Sequence, residues 1–215
     1  MKTAFRICAA VAVSALLTAP AMADGFYAGG ELGWASEPSF TGQATVAMRN
    51  AGYPVVSVSE DKGGNGGGEA YFGQWINANF GWEAGITALG AVHGRIAAAS
   101  GANTIFTSYH YSAAALSIAV QGGVNVTPAD KLFIKGGVYN AFATMDGPTS
   151  TVTRYSFGPM VGLGYSHRFA EHWSGQVQAS DYLGVRYPDF EYFAPTNNTS
   201  RHDIAMFTVG VSYLF

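Results

Sequence analysis

Cysteine is almost missing from this chain. The single one, Cys8, lies in an N-terminal stretch that reads as a removable leader, so the rest offers no thiol, disulfide or cysteine metal ligand. Charge is also scarce: Asp, Glu, Lys and Arg make up 12% of the residues, well below the level of an ordinary soluble domain. The charge balance is acidic and no basic run occurs, which excludes nucleic acid as an expected partner. Beyond the leader no apolar run approaches the length of a membrane helix. There is no His-Glu-x-x-His pair of ligands. The glycine run from Gly63 to Gly68 lacks the Gly-Lys-Ser/Thr ending of a phosphate loop, so it reads as a flexible loop tip. No metal and no cofactor are expected.

Glycine and aromatic residues are abundant instead. The chain has 28 glycines, and 14% of its residues are Phe, Trp or Tyr. Lys2 and Arg6 precede an apolar stretch from Ile7 to Leu17, and Ala21-Met22-Ala23 forms a small-residue cleavage site before Asp24. Residues 1–23 are therefore expected to be a cleaved signal peptide and residues 24–215 one domain. An exported chain with little charge, many aromatics and no spanning helix can enter a membrane only as a closed strand structure, because lipid offers no partner to unpaired backbone groups.

The C-terminal stretch carries the clearest pattern. Phe207, Val209, Val211, Tyr213 and Phe215 share one parity, while Thr208, Gly210, Ser212 and Leu214 share the other. Successive strand side chains point to opposite faces, so this is a strand with one large apolar face and one mostly small or polar face. Similar segments occupy 25–35, 69–76, 80–92, 108–121, 131–145, 153–169 and 173–187. Long polar loops at 37–68, 93–107, 146–152 and 188–202 alternate with short turns at 77–79, 122–130 and 170–172. The pattern predicts an all-β fold: an eight-stranded antiparallel up-and-down transmembrane β-barrel with long external loops and short periplasmic turns. Within the first loop, Thr41 to Ala51 has the composition of a short helix and Tyr53 to Ser59 that of an extended piece, which leaves ten strands as a second outcome. Trp75, Phe80, Trp82, Phe133, Phe169, Trp173 and Phe215 gather near the short turns, as an aromatic girdle does. A lipocalin-like soluble barrel is the rival. It would keep its large residues inside, whereas here the small face holds Glu31, Glu83 and Lys135.

The segments G-F-Y-A-G-G-E-L-G at 25–33, N-F-G-W-E-A-G at 79–85, K-L-F-I-K-G-G-V at 131–138 and V-G-V-S-Y-L-F at 209–215 resemble the OmpA-like transmembrane domain, a family of small outer-membrane barrels. The resemblance spans nearly all of the chain after the leader. It covers the barrel domain only, so binding to peptidoglycan is not expected to carry over. Phe207, Val209, Gly210, Val211, Tyr213 and Phe215 resemble the C-terminal assembly signal of such barrels, which implies the barrel assembly machinery as a partner. Outer-membrane lipid and lipopolysaccharide are implied as surroundings, and an external ligand would meet loop 37–68.

Two groups could carry chemistry. Glu31, Glu83 and Lys135 share the inward parity and read as an ion-pair network filling a narrow lumen, with a gate as the alternative. His110 and Ser112 lie two apart on one strand face and resemble the His-x-Ser pair of lipid A deacylases. Ala113 departs from that family's following asparagine, and only Asp146 could serve as the third group. The leading expectation is a non-enzymatic outer-membrane protein that supports the envelope or presents loops for adhesion or partner binding. A deacylase-like enzyme and a narrow, porin-like pore are the alternatives.

Overall fold

Alternating side chains and a near absence of charge drive most of this backbone into strands. The computed structural model describes residues 25–36, 38–61, 66–148, 151–188 and 201–215. The expected signal peptide and most of the loop at 188–202 lie outside the described residues. The strands are β1 (Phe26–Ala35), β2 (Val55–Asp61), β3 (Gly66–Trp75), β4 (Phe80–Ser100), β5 (Asn103–Asn125), β6 (Asp130–Asp146), β7 (Thr151–Arg168), β8 (Trp173–Arg186) and β9 (Arg201–Leu214). One helix, α1 (Thr41–Asn50), lies between β1 and β2.

The expectation of eight strands in simple up-and-down order is corrected. The described residues form one nine-stranded antiparallel sheet in the order β2-β4-β3-β1-β9-β8-β7-β6-β5, and β4 also pairs β5. Hydrogen-bonded neighbours therefore run without a break from β1 through β3, β4, β5, β6, β7 and β8 to β9, which pairs β1 again. The ninth strand is β2. It lies against the far part of β4, from Val55↔Ala99 to Asp61↔His93, on the edge that β3 uses nearer the short turns. Its sequence explains this: Val56 and Val58 turn toward the core while Val55, Ser57, Ser59 and Asp61 are exposed.

The expected long loop at 93–107 is also corrected. Residues 93–107 are mostly strand, with only a turn at 101–102 between β4 and β5. A β-bulge hides the pattern. Between Ala88↔Ala114 and Ala91↔Ser112, β4 carries one residue more than β5, and Gly90 adopts φ 103° there. Before the bulge the even positions of β4 face outward; after it Val92, Ile96 and Ala98 face inward. A second bulge between Tyr182 and Val185, with Gly184 at φ 73°, breaks the alternation of β8 in the same way.

The sheet curls so that one face is enclosed. Tyr27, Tyr71, Tyr111, Tyr139, Tyr182 and Phe133 are buried there, so the enclosed face is not uniformly small. Phe133 is thus no part of a girdle. Glycines make room for these rings on the neighbouring strand. Tyr109 lies across Gly94, and a Cβ on that glycine would meet the ring at 2.0 Å; Phe133 lies across Gly164 at 2.3 Å. The outer face carries Leu32, Phe72, Ile134, Phe157, Leu163 and Val211, all exposed.

Beyond the far end of β1 the chain folds back over the enclosed face. Ala44, Ala47 and Met48, at the i, i+3, i+4 spacing of one helix face, are buried with Phe40 against Val92, Ile96, Tyr109 and Tyr111. Glu60 of β2 accepts hydrogen bonds from the Phe40 N–H at 2.6 Å, the Tyr109 hydroxyl at 2.9 Å and the Ser39 hydroxyl at 2.9 Å. One carboxylate thereby satisfies an orphan donor at the helix start and ties β2 to β5. Gly52, at φ 93°, ends the helix, its N–H bonded to the Arg49 carbonyl. The helix and β2 together cap the enclosed face on the long-loop side.

Candidate functional site

Three places gather polar side chains. The first is the enclosed face. Lys135 on β6 donates to Glu83 Oε1 on β4 at 2.7 Å and lies 3.9 Å from Glu69 Oε2 on β3. Tyr27 donates its hydroxyl to Glu83 Oε2 at 3.0 Å, and the Gln121 amide donates to Tyr27. Glu31 on β1 accepts from the Gln176 amide and the Thr208 hydroxyl rather than from Lys135. Glu31, Glu83 and Lys135 are therefore buried in one interior, but only Glu83 pairs closely with the lysine. Glu69 escaped the sequence reading because the register of its strand was open. Its parity with Tyr71 and Gly73, both matched to inward-facing residues, is the signal that finds it.

Gly210, opposite Glu31 in the β1–β9 ladder, leaves space for that carboxylate; a Cβ there would stand 2.2 Å from the Gly30 carbonyl oxygen. Of the other C-terminal residues, Phe207, Val209, Val211 and Phe215 present their side chains on the outer face. Tyr213 packs its ring against Trp173 and Phe215 at the short-turn end.

The second place is the β4–β5 extension beyond the apolar belt. A cleft of 880 Å³ there is lined by Ser59, Glu60, Asp61, His93, Arg95, Ser108, Tyr109, His110 and Asp146, among others. His110 Nδ1 lies 3.0 Å from His93 Nδ1, its register partner, and His110 Nε2 is buried with no partner. Burial, and next the neighbouring His93, hold the His110 imidazole below its usual pKa. Neither ring nitrogen of His110 bonds Ser112, whose neighbours in register are Ala91 and Thr144. The nucleophile-and-base pair is thus not assembled.

The third place is the short turn at 126–129. Asp130 accepts from the Tyr165 hydroxyl at 2.5 Å, from His167 Nδ1 at 2.7 Å and from the Thr127 hydroxyl. These hydrogen bonds, Thr127 first, hold its carboxyl down at about 2. Thr127 Oγ in turn accepts from the N–H groups of Ala129 and Asp130. This cluster closes a turn, its donors all directed at one carboxylate.

Among the described residues no helix is long and apolar enough to cross a membrane, and no group of three or more His, Cys, Asp or Glu is placed to hold a metal ion. An outer face of exposed Leu, Ile, Val and Phe around a buried polar interior inverts the soluble pattern. That inversion defines the class: a protein that meets lipid with strands. The chain belongs to the outer membrane protein beta-barrel domain family, whose profile matches residues 8–215, and it is an outer-membrane protein. Solved structures of similar fold include Ail, the attachment invasion locus protein of Yersinia pestis, in complex with the heparin analogue sucrose octasulfate. It is 9% identical, has a TM-score of 0.50, and the match covers 90% of this chain and 100% of that one. Neisserial surface protein A is 13% identical with a TM-score of 0.50, covering 89% and 97%. At these identities the likeness is one of fold. It relates the chain to small outer-membrane proteins generally, not to OmpA in particular. A comparison with curated proteins found no match.

Proposed function

We propose that this protein is a non-enzymatic component of the outer membrane that strengthens the envelope and presents the cap formed by α1 and β2 to an external partner. The cap carries the reading. A segment of the long first loop, with the short helix and extended piece expected within it, is packed onto the core through Phe40, Ala44 and Met48, while Thr41, Val46, Arg49 and Asn50 form an exposed outer surface. A folded surface on a rigid support costs less ordering entropy on binding than a free loop. Cleavage after Ala23, contact with lipopolysaccharide on the outer face, and recognition of β9 by the assembly machinery belong to the same reading. The family and the exposed apolar residues of β9 support them.

The test is complementation in a strain lacking the gene. Wild type and a Val46→Asp/Arg49→Glu variant are compared for detergent resistance and for binding of whole cells to host surfaces. The variant is expected to restore resistance and to lose surface binding. Equal surface binding by both would remove the cap from the reading, and failure of the wild type to restore resistance would remove the envelope role. Ser112→Ala is expected to leave the lipid A mass profile unchanged; an altered profile would reinstate the enzyme.

A further inference from the structure

We propose that His93 and His110 form a two-imidazole site for a divalent transition-metal ion, with Cu²⁺ the best fit, on the outward face of the β4–β5 extension. The two histidines are register partners in antiparallel strands, their ring centroids 4.1 Å apart and their planes tilted by 33°. Their Nδ1 atoms face one another at 3.0 Å. A neutral imidazole carries one lone pair, so one N–H···N bridge now joins the rings. An ion about 2.0–2.1 Å from each nitrogen can replace that proton with little change in the spacing. Nitrogens so placed subtend roughly a right angle at the ion, the cis arrangement of tetragonal Cu²⁺. Either tautomer leaves His110 Nε2 unsatisfied, so the choice of tautomer is made at Nδ1 alone.

The flanking charges favour a cation. Asp61 on β2 stands in register with His93, and Asp146 on β6 stands in register with His110. Paired positions of antiparallel strands project to one side, so the order Asp61, His93, His110, Asp146 forms a row across four neighbouring strands. Asp146 is held by the Thr151 hydroxyl at 2.7 Å. Arg95 lines the same cleft and opposes the row, while Glu60 is engaged by the cap. The protein thus supplies two nitrogen ligands and leaves the other positions to water within the cleft. Such an open site exchanges its ion readily, unlike a closed structural one. No linear motif announces it, because the histidines are 17 residues apart and meet only through strand pairing.

The test uses the folded protein in detergent micelles, titrated with CuCl₂ and followed by calorimetry and by electron paramagnetic resonance. One equivalent should bind with the splitting of two nitrogen ligands. His93→Ala and His110→Ala should each weaken binding roughly tenfold or more and remove the two-nitrogen signature. His172→Ala, in the short turn at 170–172, should change neither. Absence of binding by the wild type overturns the proposal, as does full binding by the His93→Ala/His110→Ala double variant. Mobility before and after heating reports whether each variant is folded, and His93→Gln replaces any alanine variant that is not. Loss of this site leaves the role proposed for the cap untouched.

Discussion

Lys135 is the residue on which the interior depends. Its ammonium is the cation shared by Glu83 and Glu69, and all three are buried. Lys135→Met leaves carboxylates buried without a counter-charge, and the expected loss is about 3–5 kcal/mol, read from urea unfolding of protein in vesicles. A loss below that of an ordinary surface substitution would show that water enters and screens the pair. Asp130 behaves differently, since it sits half-buried at a surface turn. Its folded-state pKa of about 2 lies below the ordinary value of 3.8, so its contribution is present above pH 3.8 and disappears as pH falls through about 2. The acid limb of a thermal-unfolding series should therefore flatten in Asp130→Asn, with no difference from wild type at the lowest pH. The inward parity of Glu31, Glu83 and Lys135 was legible in the sequence, because period-2 alternation assigns a face without knowledge of the partner. Which carboxylate holds the lysine was not legible, since that depends on which strands come to lie across the interior. The pairing of His93 with His110 was hidden for the same reason.

The elements beyond the apolar belt show where alternation stops being informative. The helix over Thr41–Asn50 could be anticipated from its alanines and methionine, and the extended piece after it from V-V-S-V-S. Their destination could not. β2 attaches to β4 through a backbone ladder, and Glu60 ties it further to Phe40 and Tyr109, all contacts between residues distant in sequence. Met48→Ala is expected to cost about 2–5 kcal/mol because Met48 is fully buried under the helix. Hydrogen exchange should localise that loss. Amides of α1 and β2 should exchange faster, while those of β6 and β7 keep their wild-type protection. Uniform acceleration across all strands would mean that the cap and the sheet form one cooperative unit.

For the whole molecule, lipid is the solvent that matters. Ile134, Leu163 and Val211 are exposed on the outer face in mid-strand positions. Ile134→Lys is expected to destabilise the inserted protein by about 2–4 kcal/mol and to slow its insertion into vesicles. Val55→Lys, on the exposed edge of β2 beyond the belt, should do neither. Equal effects from the two would show that the belt reaches further along β4 and β5 than the run of apolar residues indicates.

The extra residue at Leu89–Gly90 acts on β4 as an insertion acts on a genetic reading frame. Every side chain after it is expressed on the opposite face from the one its position would otherwise dictate. Deleting Gly90 removes the extra residue of β4 and leaves an even ladder in which Leu89, Val92 and Ile96 still face inward and His93 and Arg95 still face outward. Deleting one residue more would shift the frame and turn that whole set over, where a substitution alters a single contact. Related chains should therefore differ at this point by the one residue of the bulge or by further steps of two, a rule that sequence comparison can check without any further structure.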